Sequence, residues 1–78
     1  MTLEYLREAQ RKQPFIPFSI HMADGSRVFV PHPDFISMQP IGRLVFVHTE
    51  KGASHVLDRM LMTQIEYSEN GGPEANGP

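Results

Sequence analysis

The sequence predicts a mainly β fold of the α+β class. One N-terminal helix is followed by about five short antiparallel strands, in a small barrel or a strongly bent sheet. Three observations carry this expectation. The stretch Pro14–Pro33, PFIPFSIHMADGSRVFVPHP, reads as one β-hairpin fenced by prolines and turned at Asp24-Gly25. Short apolar runs then recur at even spacing between turn residues. Ahead of the hairpin, the periodicity is helical.

Thr2 is placed to cap a helix running to about Arg11 or Lys12, ended by the approach to Pro14. At 100° per residue, Tyr5, Leu6 and Ala9 fall on one side with Leu3 at its edge, and Glu4, Arg7, Glu8 and Arg11 fall opposite. Glu8 and Lys12 form a favourable i,i+4 pair. So short a helix is marginal alone and must dock its stripe on something. A lid over an open end of the β-structure is the expected use, with a partner-binding helix as the alternative.

Pro14 and Pro17 bias the residues before them to extended backbone, so the first strand spans about Phe18–Met22. Asp-Gly between apolar runs is a strong hairpin signal, because glycine reaches positive φ without strain. A two-residue loop would set Ile20 opposite Phe29 and mix polar with apolar groups on both faces. A three-residue loop, Ala23-Asp24-Gly25 with a left-handed Gly25, sets Met22 opposite Ser26 and Ile20 opposite Val28. Phe18, Ile20, Met22, Val28 and Val30 then share one face, and Ser19, His21, Arg27 and Phe29 the other. The cleaner separation decides for the three-residue loop.

Pro31-His32-Pro33 stops the second strand, and Asp34-Phe35-Ile36 reads as a helical turn capped by Asp34. Gln39-Pro40-Ile41-Gly42 reads as a turn. Arg43–His48, RLVFVH, is the most continuously apolar run and suggests a strand covered on both faces. Glu50-Lys51-Gly52 is a second tight turn, Ser54–Asp58 a shorter strand, and Leu61–Tyr67 a fifth. In that last strand alternation puts Leu61, Thr63, Ile65 and Tyr67 inside and Met62, Gln64 and Glu66 outside. The expected domain is residues 1–67. From Ser68 the tail, 68–78, lacks any large apolar anchor and is expected to be disordered.

Seventy-eight residues make one small domain, and a chain of this size buries only about 60% of its unfolded surface. The absence of cysteine removes disulfides and thiolate metal sites as staples, which leaves oligomerisation as the expected support. A net charge of −2 argues against a generic polyanion binder. No apolar run reaches the ~18 residues of a membrane span, and the charged N-terminus has no signal-peptide core. The expectation is a soluble, cytoplasmic protein.

Chemistry-bearing motifs are sparse. Among the histidines His21, His32, His48 and His55, the last two flank the Glu50-Lys51-Gly52 turn and come close if it is a tight hairpin. Two imidazoles with Asp34 or Glu50 could ligate a metal, but no HxxxH or HExxH spacing accompanies them. There is no thiol, no GxSxG elbow and no phosphate-cradling glycine loop. Neither catalysis nor a cofactor is expected.

The run PFIPFSIHMADGSRVFVPHPDFI, after a helix containing Leu-Arg, resembles a group of short bacterial proteins of uncharacterised function. Their shared pattern is Pro-Phe-x-Pro-Phe, an Asp-Gly turn and a His-Pro step. The resemblance covers Leu3 to about Glu66 and implies no activity. The order of helix, Asp-Gly hairpin, apolar strand and a short strand stepping into a last one is also similar to the Sm-like fold and to SH3-like barrels. Val30 stands where the Sm-like family has a glycine in its bent second strand, and Asp58-Arg59 where its RNA-contacting kink falls.

Two functions compete. The first is a non-catalytic interaction module that self-associates and binds a protein partner, with Phe29, Met60 and Met62 as candidate contacts. The second, implied by the Sm-like resemblance, is an RNA-binding regulator. It would use cations among Arg7, Arg11, Lys12, Arg27 and Arg43 on phosphates, and Phe29 or Tyr67 for base stacking. Arg27, Arg43 and Tyr67 are its leading contacts, and the acidic balance counts against it.

Overall fold

The computed structural model describes residues 1–68. Helix α1 spans Leu3–Arg11, and the Thr2 hydroxyl accepts the Tyr5 N–H at 3.2 Å, the expected cap. Six antiparallel strands follow: β1 Phe18–Met22, β2 Arg27–Val30, β3 Ile36–Met38, β4 Leu44–His48, β5 Ser54–Asp58 and β6 Met62–Tyr67. They form two three-stranded sheets, ordered β2-β1-β6 and β3-β4-β5, which do not close into a barrel. Among the described residues no helix is long and apolar enough to cross a membrane.

The hairpin adopts the three-residue loop. Ile20 pairs with Val28 and Phe18 with Val30. The Met22 N–H donates to Ser26 O at 2.8 Å, and Gly25, at φ +91°, donates to Met22 O at 2.9 Å. The β4–β5 turn repeats this geometry. Thr49 N–H donates to Ala53 O at 2.9 Å, and Gly52, at φ +90°, donates to Thr49 O at 3.0 Å.

Phe18, Ile20, Val28 and Val30 of the first sheet meet Ile36, Val45 and Val47 of the second, with Leu6 and Ala9 of α1 and Met62 of β6 completing the buried cluster. The helix thus docks Leu6 and Ala9 on the core, whereas Tyr5, expected on the same side, is 49% exposed. Gln10 fixes it by donating its amide to Pro33 O at 3.1 Å and Ile36 O at 2.9 Å. Those carbonyls flank the point where the chain turns into β3, so one side chain ties the helix to both ends of that corner.

Several expectations need correction. Pro33–Phe35 is a turn of 3-10 helix whose cap position is His32, with Asp34 inside it. Proline at the first position takes the role, because a missing N–H costs nothing there. Strand β3 is not foreseen in the sequence, and the described residues form six strands where about five are expected. Strand β4 is covered on one face alone: Val45 and Val47 are buried, Leu44 and His48 exposed. In β6, Met62 is inside and Leu61 and Thr63 outside. The pairing shifts from His21 opposite Gln64 to Met22 opposite Met62, so Thr63 is the extra residue of a bulge. A bulge breaks alternation, which a pattern of period two cannot anticipate. The tail expectation for 68–78 lies outside the described residues except at Ser68, whose N–H donates to Pro17 O at 2.8 Å.

Candidate functional site

Three surface regions carry the side chains singled out by sequence. The first is the outer face of the β3-β4-β5 sheet. Phe46 of β4 lies opposite Val56 of β5 and Ser37 of β3, and Leu44 is two residues along the same face. Leu44 is 44% exposed and Val56 59%, with Phe46 half-buried between them. His48, Ser54 and Asp58 border this stripe, the His48 ring meeting the Ser54 hydroxyl at 3.0 Å. The sequence reading missed the face, because it took the LVFV run as buried on both sides. The Leu44/Phe46/Val56 alternation against Val45/Val47 is the signal that was available.

The second region is the corner where β4 begins and β5 ends. Arg43 meets the Asp58 carboxylate with two donors, Nε at 3.2 Å and a terminal nitrogen to the other oxygen. Asp58 also accepts the Met60 N–H at 2.9 Å, capping the 3-10 turn Arg59–Leu61. These bonds hold its carboxyl below the usual carboxylate range, the Arg43 hydrogen bond most and the Met60 N–H next. Arg59 spreads its guanidinium over Gly42 O, at 3.2 and 3.0 Å, and Met1 O, at 2.9 Å. Arg59 is therefore a clamp on backbone carbonyls. Nothing in sequence marks such acceptors, and the clamp was not anticipated. Met60, beside it, is 60% exposed, whereas Met62 is 5% exposed and belongs to the core.

The third region is a cleft of about 230 Å³ along the edge of β2. One wall is Arg27, Val28, Phe29 and Pro31; the other is the turn Thr49–Lys51 with His55. Arg27 and Phe29, expected on one face of the hairpin, both line it. Arg43 does not join them, since it is held at the opposite end of β4 by Asp58. Tyr67 lies elsewhere, its ring edge-on to Phe18 with centroids 6.0 Å apart and Lys12 Nζ 5.2 Å from its own centroid. Burial pushes the Tyr67 phenol pKa up, helped by Tyr5 and Glu8.

The histidines are dispersed. His21 meets Glu66 at 2.8 Å on the outer face of the first sheet, and His32 tilts over Phe35 at 5.5 Å between centroids. His48 pairs with Ser54 and His55 with Val47, so the two flanking the turn occupy opposite faces of the sheet. Adjacent residues in a strand point to opposite sides, which sets His55 apart from Ser54 and its partner. Among the described residues no three His, Cys, Asp or Glu side chains gather as a ligand set.

No family model, curated protein or solved structure matches this chain.

Proposed function

We propose that this chain is a non-catalytic interaction module that self-associates through the outer face of the β3-β4-β5 sheet and binds a protein partner. The observation that supports this reading is the exposed Leu44–Phe46–Val56 stripe with its polar border. An apolar centre ringed by polar groups is the usual anatomy of an interface. Covering it would give a small, staple-free domain the extra burial it lacks. A cytoplasmic setting belongs to the same reading, as does membership of the short bacterial group that shares the proline-fenced hairpin.

The strand orders fit a layout of the Sm-like or SH3-like kind, with two breaks. In this reading β2 and β3 are halves of one bent strand, interrupted by Pro31-His32-Pro33, and the Arg59–Leu61 turn steps β5 into β6. The second function, an RNA-binding regulator, draws on one observation: Arg27 and Phe29 share a cleft with Lys51 and His55.

Sedimentation over the range ~1–100 µM, which spans ordinary interface affinities, tests the first function. A dimer or larger is expected, with Val56→Glu and Leu44→Glu each giving monomers of unchanged circular dichroism. A wild-type monomer still present alone at ~100 µM overturns it.

A further inference from the structure

The geometry points to the β2 cleft as the place where an extended, acidic peptide segment of the partner adds a short strand to the β2 edge. This rests on the reading of the chain as a protein-interaction module and names the partner's chemistry and its site.

The backbone supplies the first argument. In an antiparallel pair, residues that exchange ladder hydrogen bonds alternate with residues whose N–H and C=O face away. The Met22 N–H bond to Ser26 O fixes the phase. Ile20–Val28 and Phe18–Val30 are then bonded pairs, while Ser19–Phe29 and His21–Arg27 are not. Arg27 and Phe29 therefore turn their N–H and C=O groups to the free edge of the β2-β1-β6 sheet. Among the described residues no other strand pairs there. Such an edge is a template for an incoming strand.

The cleft supplies the second. Edges that proteins protect are covered, yet here the Thr49–Lys51 turn stands off from β2 and leaves about 230 Å³ between them. Phe29 and Pro31 make the β2 wall of the space partly apolar. Its charged groups are Arg27, Lys51 and Glu50, and His55 also lines it; two cations against one carboxylate favour an acidic ligand. Charge is needed, because β2 is four residues long and Pro31 has no N–H. Only the groups of Arg27 and Phe29 are open to an added strand, so main-chain bonds alone would bind weakly.

A peptide fits these features better than a nucleic acid does. Alternating donors and acceptors at strand spacing match a peptide backbone, which offers both, whereas phosphates offer acceptors only.

The experiment titrates the full chain against four fluorescein-labelled probes. They are an alternating Glu-Val hexapeptide, its Lys-Val counterpart, the Glu-Val peptide N-methylated at alternate residues, and a single-stranded oligouridine. The Glu-Val peptide is expected to bind tighter than about 100 µM. The Lys-Val and N-methylated peptides are expected to bind at least about tenfold more weakly, as is the oligouridine. Arg27→Glu with Lys51→Glu, both at exposed positions, should cost the Glu-Val peptide a similar factor. Bound peptide should slow hydrogen exchange at the Arg27 and Phe29 amides above all others.

Equal binding of the N-methylated peptide overturns strand addition, and so does protection that spares those two amides. Equal binding of the Lys-Val peptide overturns the acidic partner, and preferred binding of oligouridine overturns a protein partner at this cleft. No binding by any probe overturns the inference. Sedimentation of the same samples separates the two levels. Self-association intact with no peptide bound leaves the interaction module standing, whereas its loss removes that reading independently of the cleft.

Discussion

Gly25 and Gly52 each sit at the end of a three-residue loop at φ near +90°, and each donates the bond that closes its turn. Nothing lies within 4 Å of where a Cβ would stand at either position. A side chain there meets open space, so the cost of adding one is backbone strain alone. Gly25→Ala and Gly52→Ala should each destabilise the chain by about 1 kcal/mol or more, read as a shift in denaturation midpoint at unchanged slope. A change well below that would mean the loops relax to another turn. Two carboxylates set a pH dependence at the same scale. Asp58 is held low by Arg43 and then by Met60 N–H; Asp24 is held low by the Ser26 hydroxyl and then by its N–H. Each ionises more readily folded than unfolded, so its contribution is whole above the unfolded value near ~4 and disappears as pH falls through the lower folded value. The melting temperature should therefore drop on acidification below about pH 4, and Asp58→Asn should flatten that drop. An unchanged slope in the variant would show that other groups carry the acid sensitivity.

Helix α1 is the element whose removal should matter most. Leu6 is fully buried between the sheets' core residues, and Leu6→Ala should cost about 2–5 kcal/mol, the usual range for a cavity at such a site. Thr2→Ala removes the cap bond to Tyr5 and should cost about 1 kcal/mol. If the helix were a detachable partner-binding arm, both losses would be small and chemical denaturation would show two transitions. Elements with their own signals were legible in the sequence. The helix cap, the Leu6 and Ala9 part of its stripe, the Asp-Gly hairpin and its register, and the Ser54–Asp58 strand all follow from local residue chemistry. What escaped depends on partners distant in sequence. Ile36-Ser37-Met38 is too short to show alternation and becomes a strand because β4 pairs with it. Met62 turns inward because one extra residue, Thr63, bulges beside His21. Arg27 and Phe29 were legible as neighbours on one face of β2, although Phe29, expected to be exposed, is half-buried. That they line a cleft depends on a turn some twenty residues away, whose position only packing decides.

At the scale of the whole molecule, the question is whether its cations form a field that a polyanion could use. The chain has seven lysines and arginines against nine acids. Arg43 is committed to Asp58, and Arg59 to the carbonyls of Gly42 and Met1. Lys12 lies over the Tyr67 ring, and Arg7 reaches Pro40 O at 3.5 Å on a helix that also carries Glu4 and Glu8. Of the rest, Arg11 is exposed on the same helix, and Arg27 and Lys51 share a cleft, Lys51 in the wall that also carries Glu50. Two cations suit a short acidic segment, but they cannot displace the condensed counterions that drive tight nucleic-acid binding. Single-stranded RNA should therefore bind no tighter than about 10 µM near physiological salt, within the range of non-specific contacts. Because each phosphate contact adds to the salt slope, a plot of log affinity against log salt should be shallow, with a slope of magnitude about 1–2. Submicromolar binding with a steep slope, weakened by Arg27→Ala, would mean that self-association gathers the Arg27 clefts of several copies onto one face. The RNA-binding function would then displace the protein-partner one.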